Sequence, residues 1–140
     1  MRLHPDDSFF ELFARVAAAR AAGCHITVSS PPGADVPGLA LLEELTEPWG
    51  GAIEFVEEDD VALAEAIRAR QTDRVRYAAP GRVPAQIFEA AHETGLFVAR
   101  SPVLSEGRIE LLWYLREQSI SRDYHRYGNV GEHATWCASD

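Results

Sequence analysis

The chain has 140 residues, which is long enough for one domain with a buried core. Its composition, 46% hydrophobic and 25% charged, is typical of a globular protein rather than a disordered one. The formal net charge of −9 would repel phosphate groups, so nucleic acids and anionic membranes are not expected as partners. All 13 positive charges are arginines, which favours planar, bidentate contacts over diffuse attraction.

Cysteine content and hydropathy point to a cytoplasmic protein. Cys24 and Cys137 are too few for a disulfide framework, so a reducing compartment is the simpler context. No apolar stretch approaches the roughly 20 residues that a transmembrane helix needs. The first ten residues, MRLHPDDSFF, lack the pattern of a signal peptide. We therefore expect a cytoplasmic location and no membrane-spanning segment.

Two helices with a strand between them are predicted in the first third of the chain. Ser8 and Glu11 have the spacing of a capping box, and Gly23 is suited to end the first helix. His25–Ser30 has the pattern of a short buried strand. Pro37 fits the first turn of a second helix. The apolar positions expected on the inner helix faces are Phe9, Leu12, Phe13, Val16, Leu39, Leu42 and Leu45.

The rest of the pattern alternates strands with helices. Asp59 and Asp60 are expected to open a third helix, Pro84 a fourth, and Glu106 a last one. The apolar positions of these helices are Leu63, Ala64, Ile67, Ile87, Phe88, Ala91, Ile109, Leu112 and Trp113, and the strands predicted between them are Ala52–Val56, Arg74–Ala78 and Leu96–Ala99.

Strands that alternate with helices of about three turns imply right-handed βαβ units. The predicted fold class is α/β, a Rossmann-like three-layer fold with a mostly parallel sheet and an extended C-terminal arm. Residues 1–116 form the predicted Rossmann-like domain, and residues 117–140 form the arm and tail. The boundary lies there because side chains alternate with period two from Glu117 onward, as on an extended segment.

A Rossmann-like sheet raises the question of a dinucleotide site. The loop after the first predicted strand, Ser29–Gly33, reads SSPPG and does not match G-x-G-x-x-G. Its two prolines also remove N–H donors that a pyrophosphate would need. The acidic run Glu57–Asp60 is most simply a helix cap. Nucleotide binding by this chain is therefore not expected.

The sequence also predicts no catalytic or metal-binding group of residues. Cys24 and His25 are neighbours on a strand and would point to opposite faces, so Cys24 is expected to be a buried structural residue. Cys137 belongs to no paired zinc-binding unit. Asp123 could orient His125, but no nucleophile accompanies them. Composition alone leaves the tail open between an interface arm and a mobile end.

The tail residues carry a family resemblance. The run EGRIELLWYLREQSISRDYHRYGNVG, residues 106–131, resembles the C-terminal motif of proline utilization A, a family of bifunctional proline-catabolic flavoenzymes. The region that precedes this motif in the longer members of the family is similar to the stretches ARVAAARAAGCHITVS, GAIEFVEEDD, RVRYAAPGRVP and GLFVARSPVL. The resemblance therefore covers nearly the whole chain.

The resemblance implies a role in converting proline to glutamate. The family joins an FAD-dependent proline dehydrogenase to an NAD-dependent L-glutamate-γ-semialdehyde dehydrogenase and channels the intermediate between them. Its longer members add a non-catalytic domain of the aldehyde dehydrogenase superfamily, which has a Rossmann-like fold. The resemblance implies that this domain packs on the catalytic dehydrogenase, helps to wall the channelling tunnel and supports assembly.

On this basis the chain itself is expected to bind no cofactor and no metal and to lack catalytic residues, while FAD and NAD belong to the parent enzyme. The flavin-binding barrel, the catalytic cysteine motif and an NAD fingerprint are absent from the sequence. The expected partner is the catalytic dehydrogenase region, with a second protomer as an open alternative. The implied interface residues are Arg116, Glu117, Gln118, Ser119, Ile120, Ser121, Asp123, Tyr124, His125, Arg126, Tyr127, Gly128 and Asn129.

Two alternatives belong to other functional classes. The chain could be an independent nucleotide-binding or aldehyde-oxidising α/β domain that uses the carboxyl ends of its strands as a cleft. It could also be a free-standing regulatory subunit. The missing phosphate loop counts against the first alternative, and the length of the natural reading frame would test the second.

Overall fold

A computed structural model describes residues 1–116, which form a mixture of helices and parallel strands. Two short 3₁₀ helices, Glu47–Ala52 and Pro80–Arg82, lie in the connections. The main elements in chain order are α1 (Phe9–Ala21), β1 (Ile26–Ser30), α2 (Leu39–Thr46), β2 (Ile53–Glu57), α3 (Asp60–Arg68), β3 (Arg74–Arg76), α4 (Ala85–Thr94), β4 (Phe97–Ala99) and α5 (Gly107–Leu112).

The described strands form two parallel pairs. β1 pairs with β2 in a register that runs from Ile26 opposite Ile53 to Ser30 opposite Glu57. β3 pairs with β4, and Val75 stands opposite Val98 at the centre of that pair. Each pair is connected through a helix, as parallel strands require. The predicted α/β class and parallel pairing are therefore confirmed.

The first three residues lie between the two strand pairs. On one side, the Leu3 N–H donates to the Ser29 carbonyl and the Ser29 N–H donates to the Met1 carbonyl, both at 2.8 Å. On the other side, the Arg2 N–H donates to the Arg76 carbonyl at 3.1 Å. This segment thus connects β1 with β3 through backbone hydrogen bonds, and the sequence pattern did not predict it as a strand.

The described residues contain two hydrophobic clusters, and the first includes Leu3 of this segment. The first packs α1 and α2 against β1 and β2, and the second packs α3 and α4 against β3. Small residues such as Ala19 and Ala90 allow the helices to approach closely. The buried members are Leu3, Leu12, Val16, Ala19, Ile26, Val28, Val36, Leu42 and Ile53 in the first cluster and Leu63, Ala64, Ile67, Val75, Tyr77, Ile87 and Ala90 in the second.

Helix termini follow the local sequence signals. The Ser8 hydroxyl accepts from the Glu11 N–H, and the Glu11 carboxylate accepts from the Ser8 N–H, so the predicted capping box is confirmed. Asp59 caps α3 by accepting from the Ala62 N–H at 2.8 Å, which confirms the capping role predicted for the acidic run. Gly95 ends α4 with a φ of 72°, a conformation that glycine adopts without a Cβ penalty.

Some side-chain orientations were predicted wrongly. Leu45 was expected to face inward but is 56% exposed, because Leu42 and Thr46 form the buried stripe of the eight-residue α2. Pro37 is not in the first turn of α2, because α2 begins at Leu39 and its N-cap is Gly38, which has a φ of 84°. On α5 the buried residue is the charged Glu110, and its apolar neighbours face outward.

Buried arginines hold the N-terminal region together. Arg15 of α1 is fully buried and pairs with the carboxylate of Asp7. Its Nη1 donates to the Arg2 carbonyl at 3.2 Å, and Arg82 pairs with the other oxygen of Asp7 at 2.7 Å. A buried charge is tolerated only when it is paired and hydrogen-bonded, so Asp7 compensates two cations.

The substitution Asp7→Ala is expected to lower the free energy of unfolding by about 3–5 kcal/mol, because it leaves the buried Arg15 without a counter-charge. Asp6→Ala is the matched control, since Asp6 is exposed, and a change within about 0.5 kcal/mol is expected there. Urea unfolding followed by circular dichroism measures both. Equal stabilities of the two variants would contradict this account of Arg15.

Candidate functional site

Arg116 is the one predicted interface residue within the described part of the chain. Its Nη2 lies 2.6 Å from Asp73 Oδ2, with side-chain exposures of 75% and 82% for the two residues. An ion pair this exposed contributes little to stability. The other predicted interface residues lie outside the described residues and stay a prediction: Glu117, Gln118, Ser119, Ile120, Ser121, Asp123, Tyr124, His125, Arg126, Tyr127, Gly128 and Asn129.

The helix that leads into the predicted interface is held by a buried, bidentate ion pair. Arg76 Nε donates to Glu110 Oε1 at 2.8 Å, and its Nη2 donates to Oε2 at 2.6 Å. Nη1 of the same guanidinium donates to the carbonyls of Tyr77 and Ser101, the latter at 2.7 Å. The fork geometry of arginine satisfies both carboxylate oxygens at once. α5 is thereby attached to β3.

Tyr114 extends this attachment beyond the end of α5. Its hydroxyl donates to Glu110 Oε1 at 3.2 Å, and its carbonyl lies 3.8 Å from the Sγ of Cys24. Burial raises the pKa of the Tyr114 phenol, and the negative charge of Glu110 raises it further. Cys24, predicted to be a buried structural residue, is half-buried and contacts the Tyr114 backbone.

Arg74 positions the chain that follows α5. Its Nη1 donates to the carbonyls of Trp113 and Leu115, the latter at 3.0 Å. Its guanidinium carbon also lies 5.3 Å from the ring centroid of Phe97, and that ring stacks on Trp113 at 6.3 Å. Arg74 and Phe97 begin β3 and β4, so this chain segment lies at the amino ends of the two strands.

Exposed apolar side chains concentrate around this segment. Of the eleven large hydrophobic residues that are exposed in the described chain, five fall between residues 97 and 115. Leu112 is the most exposed of them, at 61%. Exposed apolar residues that form one patch mark interaction sites, whereas singly exposed leucines are ordinary. We call this set the C-terminal apolar surface: Phe97, Leu104, Ile109, Leu112 and Leu115.

A second feature lies at the opposite, carboxyl ends of the strands. A cleft of about 300 Å³ is lined there by residues that follow different strand segments. His4 follows the first three residues, Pro31 follows β1, Asp60 follows β2, and Tyr77 and Arg82 follow β3. Parallel strands bring their carboxyl ends to one edge, which is where α/β proteins bind ligands. We call it the carboxyl-edge cleft.

Tyr77 is the most unusual residue of this cleft. It is 1% exposed, and its hydroxyl has no hydrogen-bond partner among residues 1–116. Burial raises the pKa of this phenol, and the charges of Asp60 and Glu58 raise it further, while Arg2 lowers it. The group is therefore a neutral hydroxyl at physiological pH and can donate a hydrogen bond.

The cations of the carboxyl-edge cleft are paired with carboxylates. Arg2 Nη2 donates to Asp60 Oδ1 at 2.7 Å. Arg82 Nη1 donates to Asp7 Oδ1 at 2.7 Å and to Glu11 Oε1 at 3.0 Å. The positive charges lining the cleft are therefore neutralised by neighbouring carboxylates.

The sequence did not point to the central residues of either feature. Arg76 and Glu110 are 34 positions apart, and no local pattern predicts that they meet. Tyr77 fell within the predicted strand Arg74–Ala78 and was read as a strand residue only. The arginine-only composition was the one available signal, because it favours bidentate carboxylate pairs.

The described residues show neither a metal-ligand cluster nor a helix that could span a membrane. Among residues 1–116, no three His, Cys, Asp or Glu side chains converge as a metal ion would require. The longest helix described, α1, has 13 residues, so none of these helices could cross a bilayer. Cys137, which the sequence places in no paired zinc-binding unit, lies outside this range.

Glu110→Ala is expected to lower the free energy of unfolding by about 3–5 kcal/mol, because the buried Arg76 loses its counter-charge. Glu106→Ala is the control on the same helix terminus, and its exposed pair with Arg108 predicts a loss below about 1 kcal/mol. Thermal or urea unfolding of the 140-residue chain measures both. A small effect of Glu110→Ala would show that α5 does not depend on this pair.

Alkaline titration should reveal both buried tyrosines. An unfolded tyrosine ionises near pH 10, whereas the raised pKa values keep folded Tyr77 and Tyr114 protonated above that pH. The folded state then binds more protons, so stability is complete below pH 10 and falls as the pH rises further. Tyrosinate absorbance is measured during alkaline titration of the wild type, Tyr77→Phe and Tyr114→Phe. The absorbance that each variant loses should appear in the wild type only when the chain unfolds. Ionisation of either residue near pH 10 in the folded chain would contradict its burial.

Comparisons of the chain with protein-family models, with curated proteins and with solved structures found no match. No family is therefore assigned from them. The functional interpretation depends on the two edges of the described strands and on the resemblance of residues 106–131.

Proposed function

We propose that the chain is a non-catalytic docking module of a bifunctional proline-catabolic enzyme of the proline utilization A type. Its partner is the catalytic dehydrogenase region, and residues 117–140 act as an extended docking arm. The observation that carries the proposal is the C-terminal apolar surface, which accompanies a chain segment hydrogen-bonded to Arg74 and, through Glu110, to Arg76. That segment belongs to residues 106–131, the run that resembles the family.

The fold proposed for this module is Rossmann-like. With residues 1–3 counted as a first strand, the hydrogen bonds give the order β2, β1, residues 1–3, β3, β4. In chain numbering this is 3-2-1-4-5, the order of a doubly wound sheet. The order supports the Rossmann-like assignment, which is the fold that the family resemblance implies.

The physical character of the surface supports a protein partner. Interface centres are enriched in aromatic residues and arginine, and Phe97, Trp113 and Arg74 stack on one another here. Rigid attachment lowers the entropy that a segment loses on binding. The buried Arg76–Glu110 pair supplies this attachment by fixing α5 before any partner arrives.

The non-catalytic part of the proposal rests on the chemistry of the candidate residues. Cys24 is half-buried against the Tyr114 carbonyl, and its neighbour His25 is exposed. The loop after β1 contains Pro31 and Pro32, which cannot donate backbone hydrogen bonds to a phosphate. In this proposal the parent enzyme supplies FAD and NAD, and the module contributes by closing the channelling tunnel and supporting assembly.

Leu112→Glu is expected to weaken association with the catalytic dehydrogenase region at least tenfold, because it places a charge in the C-terminal apolar surface. Leu45→Glu is the matched control, since Leu45 is similarly exposed but lies on α2. Biolayer interferometry between the 140-residue chain and the separately produced dehydrogenase region gives both affinities.

Two outcomes would contradict the proposal. If Leu112→Glu and Leu45→Glu weakened the affinity for the dehydrogenase region equally, or if neither weakened it, this surface would not be the interface. Micromolar NAD binding by the isolated chain in a calorimeter would overturn the non-catalytic part. Both variants should unfold at the wild-type temperature, which confirms that any loss concerns binding.

A further inference from the structure

The carboxyl-edge cleft contains an unmet hydrogen-bonding requirement. Within residues 1–116, the Tyr77 hydroxyl is the one buried side-chain oxygen or nitrogen that has no partner. Buried polar groups in folded proteins are almost always paired, and an unpaired one destabilises the fold. A phenylalanine would fill the same space without this cost, so the hydroxyl is a candidate hydrogen-bond donor to a ligand.

Further donors lie beside this hydroxyl. The hydrogen bonds that Arg82 makes within the described chain all use Nη1, so Nε and Nη2 remain for another acceptor. His4 lines the same cleft, and its Nδ1 accepts from the Asp6 N–H at 3.1 Å. The Tyr77 hydroxyl and the Arg82 guanidinium are therefore two donors that suit a carboxylate.

The cleft also offers an acceptor. Asp60 accepts from Arg2 through Oδ1, and Oδ2 makes no hydrogen bond within residues 1–116. Asp60 lines the cleft and is only partly covered, with 34% of its side chain exposed. A carboxylate oxygen in this position suits an ammonium group.

The charges around the cleft favour a zwitterion over a simple anion or a simple cation. Three arginines and three carboxylates form the ion pairs around the cleft, so their formal charges cancel. A net anion such as phosphate would find no excess positive charge, and a simple cation no excess negative charge. A molecule with one charge of each sign matches both the donors and the acceptor. The remaining walls are short and mostly apolar: Leu3, Pro5, Pro31, Val83 and Pro84.

We propose that the carboxyl-edge cleft binds a small zwitterion of the α-amino-acid type. Tyr77 and Arg82 receive its carboxylate, Asp60 receives its ammonium group, and the apolar walls contact a short side chain. This site lies at the opposite ends of the strands from the C-terminal apolar surface, so it does not depend on the docking function.

Ligand-detected nuclear magnetic resonance and isothermal calorimetry on the 140-residue chain test this site. The probes are glycine, L-alanine and L-valine at neutral pH, with acetate and methylamine as the two singly charged halves. We expect the amino acids to bind at least tenfold more tightly than either half, because both charged ends contribute. Binding should also shift the ring signals of Tyr77 in the wild-type chain.

Tyr77→Phe separates binding from folding. It should weaken amino-acid binding about tenfold, the effect of one hydrogen bond to a charged group, while the melting temperature stays equal or rises. Tyr114→Phe is the matched control, because that hydroxyl donates to Glu110 and lies outside the cleft. It should lower the melting temperature and leave the affinity unchanged.

Three results would overturn the proposal. Acetate binding as tightly as alanine would indicate a simple anion site. Absence of binding by all three amino acids at millimolar concentration would indicate that the cleft holds only water. If Tyr77→Phe left the amino-acid affinity unchanged and binding did not shift the Tyr77 ring signals of the wild-type chain, the amino acid would bind elsewhere.

Discussion

The structure depends on how its first three residues are held between β1 and β3. Backbone hydrogen bonds join this segment to both strands, and the side chain of Arg2 adds bonds to Ser29 Oγ at 2.8 Å and to the Glu58 carbonyl at 2.7 Å. The same guanidinium pairs with Asp60 at the start of α3. One buried cation therefore connects the central segment, β1 and the region after β2. Leu3 of the same segment is a buried member of the first hydrophobic cluster.

Arginine suits this role because its fork satisfies several acceptors at once. Arg2, Arg15 and Arg76 are all buried, and each contacts a carboxylate and at least one backbone carbonyl. Lysine, a point charge on a flexible stem, could not bridge separate elements in this way. The complete absence of lysine from the sequence agrees with a fold whose polar interior is made of guanidinium–carboxylate pairs. Such pairs fix geometry more than they add net stability.

Local signals allowed most helix and strand positions to be predicted, since caps and apolar periodicity act over a few residues. The capping box at Ser8 and the cap at Asp59 are examples. Long-range pairing could not be predicted in this way. Arg2 reaches Asp60 across 58 positions, and a three-residue segment is too short to show a strand period. The burial of Glu110 could not be predicted because its main partner, Arg76, is 34 positions away.

The two ends of the strands differ in what they leave unsatisfied. Near the amino ends, Arg74 donates to the carbonyls of Trp113 and Leu115, and apolar area is exposed at Leu112 and its neighbours. At the carboxyl ends, the buried hydroxyl of Tyr77 has no hydrogen-bond partner within residues 1–116. Departures from local consistency mark functional positions, and these two departures are of different chemical kinds. Apolar area is satisfied by a protein surface, whereas a buried hydroxyl is satisfied by a small polar molecule. The two proposed sites therefore call for ligands of different chemical kinds.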